Sequence, residues 1–301
     1  MDILYSFFVG PWSNAWFLGN TLDSIGLLMS ASLGAAIAFR SGCFNLGIEG
    51  QLYIGGVAAS AIMLWGDSHE LNLTVLGACA ALGVGGFLGA LSGILKRYCH
   101  ANEIISTFLL SSALVPVADY VIMYSLRTPH ADLLASAPFE HRLKSFLPPS
   151  HLSLSFVFTV LIVLTLALWT SHSRPGYRIR IAGQDPRFAQ YGGIDARQYW
   201  IPALALSGAL SALTGFFAVA GTYGRCHVGF SGGIGWSAIA ISLAAQNIPL
   251  ALIPVSGVYG ALLSGSNAAS LATGMDIESS SLIQAIVLFC ATVRIRRSRY
   301  A

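Results

Sequence analysis

The chain has 301 residues, of which 55% are apolar and only 10% are charged, against roughly 25% charged residues in an ordinary soluble domain. So few charged side chains cannot cover a soluble fold of this size. The mean hydropathy of +0.68 also excludes a disordered chain and a disulfide-rich secreted module. The apolar stretches are long and do not alternate, which favours transmembrane helices over an outer-membrane barrel.

The apolar stretches approach the length of about 20 residues that a membrane-spanning helix needs. The sequence therefore predicts an all-α polytopic bundle of about nine spans, between eight and ten, forming a single transmembrane domain over 1–301. The predicted spans lie at about 21–39, 48–66, 73–95, 103–125, 153–171, 200–222, 234–246, 249–267 and 279–295.

Two segments depart from a regular span. Residues 1–20 are rich in aromatic side chains, and we expect an interfacial segment or a partial span there. The seventh stretch, 234–246, is short and follows a run of glycines over 229–235. Short segments interrupted by glycine or proline are typical of discontinuous helices beside a transport pathway, and a tilted ordinary helix is the alternative.

The basic residues predict the orientation of the bundle. With the N-terminus outside, twelve of the sixteen Lys and Arg residues fall on the cytoplasmic side. Four of these are in the tail 293–301, which we interpret as a cytoplasmic anchor rather than a nucleic-acid site. The net charge of +3 is then a signal of orientation, and the C-terminus is predicted to be cytoplasmic.

The cytoplasmic loop 172–199 contains the signals of a short helix. Asp185 is suited to the N-cap and Pro186 to the first turn, while Gly192 and Gly193 supply a left-handed stop. A helix this short has no core of its own and must dock on another surface. We interpret it as a coupling helix for a separate motor subunit, and a helix lying on the protein's own inner face is the alternative. The predicted coupling residues are Gly183, Gln184, Asp185, Pro186, Arg187, Phe188 and Tyr191.

Four stretches carry a resemblance to a known family. They are GYRIRIAGQDPRFAQYGGI in this loop, RSGCFNLGIEGQLYIGGVAAS at 40–60, ANEIISTFLLSSAL at 101–114 and GIGWSAIAISLAAQNIP at 233–249. Together they resemble the permease subunits of bacterial ABC importers in the branched-chain amino acid permease-like superfamily. Within it they are similar to the branch that imports nucleosides with a basic-membrane-protein-type lipoprotein, and to the riboflavin permeases.

The resemblance implies a transport subunit without enzymatic activity. A cytoplasmic ABC ATPase would bind ATP and Mg, since this chain has no P-loop sequence and is expected to bind no cofactor itself. A second homologous permease chain and a periplasmic or lipoprotein substrate-binding protein would complete the importer in the bilayer. The solute would be a small heteroaromatic molecule of nucleoside or riboflavin type, and a branched-chain amino acid is the alternative within the superfamily.

The chain departs from the family pattern at two polar positions. Ser111 stands where the family often has asparagine, and Ser237 stands where an acidic residue is common. Both changes remove hydrogen-bond partners suited to a sugar. An ion-coupled secondary transporter is an alternative from another class, but it would need buried ionisable relays, for which only Asp119 and Asp23 are available.

Polar and aromatic residues in the matched stretches are the candidates for a transport pathway. In the 40–60 motif, Asn45 is placed as a helix N-cap and Glu49 lies in the first turn of the predicted second span, where helix capping is the alternative to a pathway role. The ring of Trp236 could stack on a flat solute or anchor the chain at the interface. The candidate pathway residues are Asn45, Glu49, Gln51, Ser111, Asp119, Trp236 and Ser237.

No residues suited to covalent catalysis or metal binding are evident in the sequence. The five cysteines are scattered without metal-ligand spacing, so we predict no catalytic residue and no metal site. Gly85, Gly89 and Gly93 recur every four residues on one helix face, which predicts a close helix–helix contact in the bundle or at a dimer seam.

Overall fold

The computed structural model describes residues 3–65, 70–128 and 133–273, and these residues form helices with no β-strand among them. Two helices continue into π-helical turns, α5 over Ile122–Leu126 and α9 over Ala218–Tyr223. The helices are α1 Ile3–Val9, α2 Ala15–Arg40, α3 Ile48–Met63, α4 Glu70–Cys99, α5 Glu103–Val121, α6 Leu154–His172, α7 Arg174–Gln184, α8 Pro186–Tyr191, α9 Arg197–Phe217, α10 Ile234–Ala244 and α11 Pro249–Thr273.

The predicted helical membrane bundle is confirmed, but the predicted number of nine spans is not. Within the described part of the chain, six helices are long and apolar enough to cross a membrane: α2, α4, α5, α6, α9 and α11. The second and seventh predicted spans form α3, of 16 residues, and α10, of 11 residues. The ninth predicted span, 279–295, and the tail 293–301 lie outside the described residues.

The core of the bundle is built on α2 and α9. Their most apolar windows are 89% and 83% buried inside the protein, whereas the corresponding windows of α5 and α6 are only 17% and 28% buried. The outward faces of these peripheral helices remain apolar, for example at Leu109 and Leu161. An apolar exterior around a buried centre is what a bilayer requires of a helical bundle, because lipid tails replace water as the solvent.

The glycine repeat on α4 brings this helix against α9. A Cβ atom added to Gly89 would lie 2.0 Å from the carbonyl oxygen of Leu204, and one added to Gly85 would lie 2.3 Å from that of Gly208. Gly93 meets the backbone of Ile201 in the same way. The predicted close contact is therefore confirmed, and it lies within the chain.

Substitution of Gly89 by alanine tests this contact. We expect Gly89→Ala to lower the unfolding free energy by roughly 1–3 kcal/mol, because the backbones of α4 and α9 must separate to admit the methyl group. Thermal unfolding of the purified protein in detergent would measure the loss. Gly83→Ala is the matched control on the same helix, since a Cβ there meets nothing within 4 Å. Equal stability of the two variants would contradict the close packing.

The N-terminal residues fold back on the last described helix. The amide of Phe17 donates to Asn14 Oδ1, so α2 begins at Ala15, six residues before the predicted start of the first span. Before it, α1 packs on α11, where a Cβ at Gly265 would lie 2.2 Å from the carbonyl oxygen of Phe7. Phe8 and Trp12 are exposed. These exposed aromatic side chains are compatible with an interfacial segment, which stays a prediction.

The bundle has two distinct ends. At the end that carries α7 and α8, called here the α8 end, Lys96 of α4 and Glu103 of α5 form an ion pair with a nitrogen–oxygen distance of 2.6 Å. The Lys96 ammonium also lies 4.6 Å above the centre of the Trp200 ring of α9. The opposite end carries the segment 133–153, which is anchored where His151 N donates to Asn20 Oδ1. The helices thus cross between two chemically different surfaces.

Candidate permease site and coupling loop

The irregular segment 41–47 places Asn45 in the buried centre of the bundle. Asn45 Nδ2 donates to Gln51 Oε1 at 2.8 Å and to Ser207 Oγ of α9 at 2.9 Å. Asn45 Oδ1 accepts from the amide of Gly47 at 2.9 Å. The predicted N-cap role of Asn45 on α3 is therefore wrong, because Gly47 is the N-cap residue and Asn45 fixes the segment before it.

Helix α5 caps the first turn of α3 from outside. The amide of Gly50 donates to Ser111 Oγ at 2.7 Å, and the amide of Leu46 donates to Thr107 Oγ1 at 3.1 Å. The amide of Gly50 is one that the first turn of a helix cannot satisfy internally, and Leu46 lies just before the N-cap Gly47. Ser111 is buried and bonded within the protein in this conformation.

Glu49 holds the start of α10. Its two carboxylate oxygens accept from the amides of Gly233 at 3.2 Å and of Gly235 at 2.7 Å. Gly233 has φ of +78°, a conformation that a residue with a Cβ rarely adopts. The carboxylate thus satisfies free amides at the positive end of α10, which is the favourable place for an anion. The capping interpretation of Glu49 holds, but the helix that it caps is α10.

Tyr53 lies one turn after Glu49 on α3 and holds the same glycine-rich segment further along. Its hydroxyl donates to Asp119 Oδ1 of α5 and accepts from the amide of Gly229 at 2.6 Å. Its ring stacks on Phe230 with the ring centres 4.7 Å apart. Residues four apart share one helix face, so Glu49 and Tyr53 fix both ends of 229–235. Asp119 joins this network rather than standing alone.

The glycine-rich segment and α10 together form a broken crossing. The segment leaves α9 at the opposite end, where the amide of Cys226 donates to Ser136 Oγ at 3.0 Å. The turn after α10, by contrast, lines a cavity with Arg40 and Gly183 at the α8 end. Residues 224–244 therefore traverse the bundle partly as irregular chain and partly as the 11-residue α10. The discontinuous helix predicted at 234–246 is observed.

Trp236 and Phe108 form an aromatic pair on the outer face of the broken crossing. Their ring centres are 6.2 Å apart, and half of the Trp236 surface is exposed. Trp236 follows directly after Gly235, which Glu49 holds. Ser237 accepts a hydrogen bond from the Tyr259 hydroxyl at 3.0 Å and is partly covered. Of the seven candidate pathway residues, Trp236 is the one with the most exposed side chain in this conformation.

A second cavity, of about 580 Å³, opens near the segment 133–153. The ring centres of Tyr223 and His227 lie 4.7 Å apart at its wall. The remaining lining residues are Leu133, Leu134, Ala135, Arg225 and Val228.

The loop 172–199 contains two helices, of which the sequence analysis predicted one. The predicted helix is α8, where Asp185 Oδ1 accepts from the amides of Arg187 at 2.9 Å and Phe188 at 3.0 Å. Gly193 ends it with φ of +72°. Its Phe188 and Tyr191 side chains are 62% and 93% exposed. The capped helix is thus confirmed, and two large aromatic side chains project from it without covering.

The other helix, α7, attaches this loop to the bundle. A Cβ at Gly183 would lie 2.0 Å from the carbonyl oxygen of Arg40, so the end of α7 touches the end of α2 directly. Ala182, Ala189 and Ala196 bury one another between α7, α8 and α9. Helix α8, which has no core of its own, therefore docks on its neighbours through this small shared core. Movement of α8 would be transmitted to α2, the most buried helix.

Metal-binding clusters are absent from the described residues. No three His, Cys, Asp or Glu side chains within 3–65, 70–128 and 133–273 converge as a metal ion would require. Cys43 and Cys226 are buried. We interpret these cysteines as packing residues.

A bundle of apolar helices with a broken crossing and a helix docked across one end defines a multi-pass membrane permease. The chain belongs to the family described as the permease component of the branched-chain amino acid transport system, whose model matches residues 17–292. This range includes all four stretches from which the family was predicted, so the resemblance is confirmed. The chain is a permease subunit of the ABC type.

Several named relatives match over most of their length. The probable riboflavin import permease protein RfuC of Treponema pallidum is 34% identical over 288 residues, covering 94% of this chain and 76% of the relative. The guanosine ABC transporter permease protein NupP of Bacillus subtilis is 26% identical, covering 93% and 82%. The nucleoside ABC transporter permease protein NupB of Lactococcus lactis is 24% identical, covering 95% and 82%.

Two solved structures share the fold. PsaBC from Streptococcus pneumoniae, in complex with a Fab, aligns with a TM-score of 0.55 at 15% identity and covers 97% of this chain and 96% of that one. A metal-chelate-type ABC transporter in an inward-facing conformation aligns with a TM-score of 0.52 at 18% identity, covering 91% and 86%. At these identities the likeness concerns the fold alone.

Proposed function

We propose that the chain imports a flat heteroaromatic solute of riboflavin or nucleoside type as half of an ATP-driven importer. The observation that carries the solute class is the 34% identity to a probable riboflavin import permease, together with the guanosine and nucleoside permeases. The half-exposed Trp236 beside Phe108 supports it, because an exposed aromatic pair offers a stacking surface to a flat ring. A branched-chain amino acid would leave this surface without a matching partner.

The proposed orientation places the α8 end in the cytoplasm and the N-terminus outside. The basic residues Arg40, Lys96, Arg97, Arg174, Arg178, Arg180, Arg187 and Arg197 all belong to elements at the α8 end. Arg127, Arg142, Lys144 and Arg225 belong to the opposite end. Cytoplasmic surfaces carry the excess of Lys and Arg. The cavity at Tyr223 and His227 would then open to the outside, where a substrate-binding protein could deliver the solute.

The proposed motor is a separate cytoplasmic ABC ATPase that binds α8 and carries ATP and Mg. A second, homologous permease chain would lie against the poorly buried face of α5, next to Phe108 and Trp236. ATP-driven movement of α8 would then pass through Gly183 to α2 and move the broken crossing that α2 supports. Solute would be released inward from a weak site, as an importer requires.

Uptake by proteoliposomes containing the complete importer tests this proposal. We expect saturable, ATP-dependent uptake of riboflavin or guanosine that leucine does not inhibit. Trp236→Ala should raise the half-saturating solute concentration roughly fivefold, because the loss of one aromatic stacking contact costs about 1 kcal/mol. Trp236→Phe keeps an aromatic ring and should bring the half-saturating concentration most of the way back to that of the unchanged protein. Trp65→Ala is the matched control, since Trp65 is an exposed tryptophan after α3 at the opposite end. Saturable uptake of leucine alone would refute the proposed solute class.

A further inference from the structure

A cavity of about 390 Å³ at the α8 end lies outside the pathway and the exposed face of α8. Three elements form its walls: the end of α2, the end of α7 and the turn between α10 and α11. Its lining residues are Phe39, Arg40, Arg180, Gly183, Gln184, Gln246, Asn247 and Ile248. It is therefore a junction of the coupling loop, the central helix and the broken crossing.

Two positive charges meet in this cavity. Arg40 of α2 and Arg180 of α7 both line it. Arg40 is half-buried and is oriented by a hydrogen bond of 3.4 Å from its Nη1 to Thr170 Oγ1. Within the described residues, neither arginine forms an ion pair with a carboxylate. Holding two like charges together without an anion costs free energy, which a bound anion would recover.

The polar lining suits an oxyanion in particular. Two guanidinium groups present planar forks of N–H donors, the geometry that matches a phosphate. Asn247 Oδ1 accepts from Ser242 Oγ at 3.0 Å, which leaves the amide N–H groups of Asn247 as donors. Gln246 and Asn247 have φ of +53° and +59°, the left-handed turn that ends α10 and brings both residues to the cavity wall.

The apolar side of the cavity distinguishes a lipid from a free ion. Phe39 is buried at its inner wall, whereas Ile248 is 47% exposed beside the two arginines. A phosphate attached to acyl chains could place its charge between the arginines and its chains along the apolar surface. Basic pockets between transmembrane helices on the cytoplasmic side bind anionic headgroups in this way.

We propose that this cavity binds the phosphate group of an anionic phospholipid of the cytoplasmic leaflet. The inference uses the orientation given in the proposed function, in which the α8 end faces the cytoplasm. The headgroup would contact Arg40 of α2 and Arg180 of α7 at once, next to the point where Gly183 touches the backbone of α2. A bound lipid would therefore hold the coupling loop firmly against the central helix.

Lipid binding to the purified permease, measured without transport, tests this proposal. We expect phosphatidylglycerol to remain bound in native mass spectrometry and to raise the thermal unfolding midpoint, while phosphatidylcholine does neither. Arg40→Gln and Arg180→Gln should each weaken phosphatidylglycerol binding about tenfold, because each variant removes one charged hydrogen-bonding partner of the phosphate. Arg178→Gln is the matched control, because Arg178 is an exposed arginine on the same helix that does not line the cavity.

Four outcomes would overturn the inference. One is equal binding of the two lipids, and another is unchanged phosphatidylglycerol binding in the Arg180→Gln variant. The third is saturation by inorganic phosphate that phosphatidylglycerol does not displace, which would assign the cavity to a free anion. Loss of lipid binding on addition of the ATPase would likewise assign the arginines to a protein partner. Failure of riboflavin or guanosine uptake with intact lipid binding would refute the proposed function alone.

Discussion

Replacement of Phe188 and Tyr191 by alanine is expected to abolish uptake while α8 stays folded. Both side chains project from α8 almost uncovered, so their loss leaves no cavity within the chain. The helix is stabilised by Asp185, by the buried Ala189 and by Gly193, none of which changes. Aromatic side chains at the centre of an interface each contribute about 2 kcal/mol or more. The double variant should therefore bind the ATPase at least about a hundredfold more weakly.

Affinity of the purified permease for its ATPase, with uptake measured in parallel, checks this expectation. Leu161→Ala is the control, because Leu161 is a comparably exposed apolar residue on the lipid-facing side of α6. A second variant distinguishes binding of the ATPase to α8 from transmission of the movement of α8 to α2. Gly183→Ala forces α7 away from the Arg40 carbonyl, so ATPase binding should persist while uptake falls. Unchanged ATPase affinity in the double variant would show that α8 is not the docking element.

The coupling helix was predictable because its signals are local. An N-cap aspartate, a proline in the first turn and a glycine stop lie within nine residues, and no distant contact is needed to interpret them. Helix α7 was missed although its start carries similar signals, since Ser173 Oγ accepts from the amide of Gly176 and a proline lies in the first turn. Its sequence RPGYRIRIAGQ is rich in arginine and has no run of apolar residues that would have drawn attention to it. Its close contacts, of Gly176 with Thr170 and of Gly183 with Arg40, are not visible in a sequence pattern.

The sequence selected the candidate pathway residues, whose role stays a prediction, but it did not reveal their hydrogen-bond partners. Glu49 was assigned to its own helix, since an acidic residue in a first turn usually stabilises that turn. Its partner Gly235 is 186 positions away in the chain. Tyr53 carries no motif of its own and was overlooked, although its spacing of four from Glu49 is the one signal that could have found it. The number of spans stays a prediction, because α3 and α10 are shorter than a regular span and the ninth predicted span lies outside the described residues.

Removal of the Glu49 carboxylate is expected to release the start of α10. In Glu49→Ala the amides of Gly233 and Gly235 lose their acceptor, at a cost of about 1–3 kcal/mol for each group that remains buried. The favourable interaction of the carboxylate with the positive end of α10 is lost as well, up to about 2 kcal/mol in a partly buried setting. Glu49→Gln keeps one oxygen acceptor, so its loss of stability should be about half as large.

Thermal unfolding and hydrogen exchange together measure this release. Exchange at the Gly233 and Gly235 amides should accelerate strongly in Glu49→Ala, ahead of any change in α2. Glu103→Gln is the control, because it breaks the ion pair to Lys96 and lowers overall stability without touching α10. Faster exchange at the two glycines in Glu103→Gln as well would show general loosening and not a local clamp.

Glu49→Ala also distinguishes two roles of Glu49, that of a clamp on α10 and that of a ligand of the solute. Because Trp236 follows Gly235 directly, release of Gly235 would move the Trp236 ring as well. If Glu49 is a clamp, Glu49→Ala shifts Trp236, and it weakens solute binding and lowers the stability of the protein at the same time. Glu49→Gln then gives intermediate values of solute affinity and of stability. A carboxylate that contacted the solute itself would give another result: weaker binding with unchanged stability and unchanged exchange at Gly235. The two hydrogen bonds from α10 already occupy both oxygens of Glu49, which favours the first outcome. The aromatic surface at Trp236 is therefore positioned by a charge that the solute need never touch.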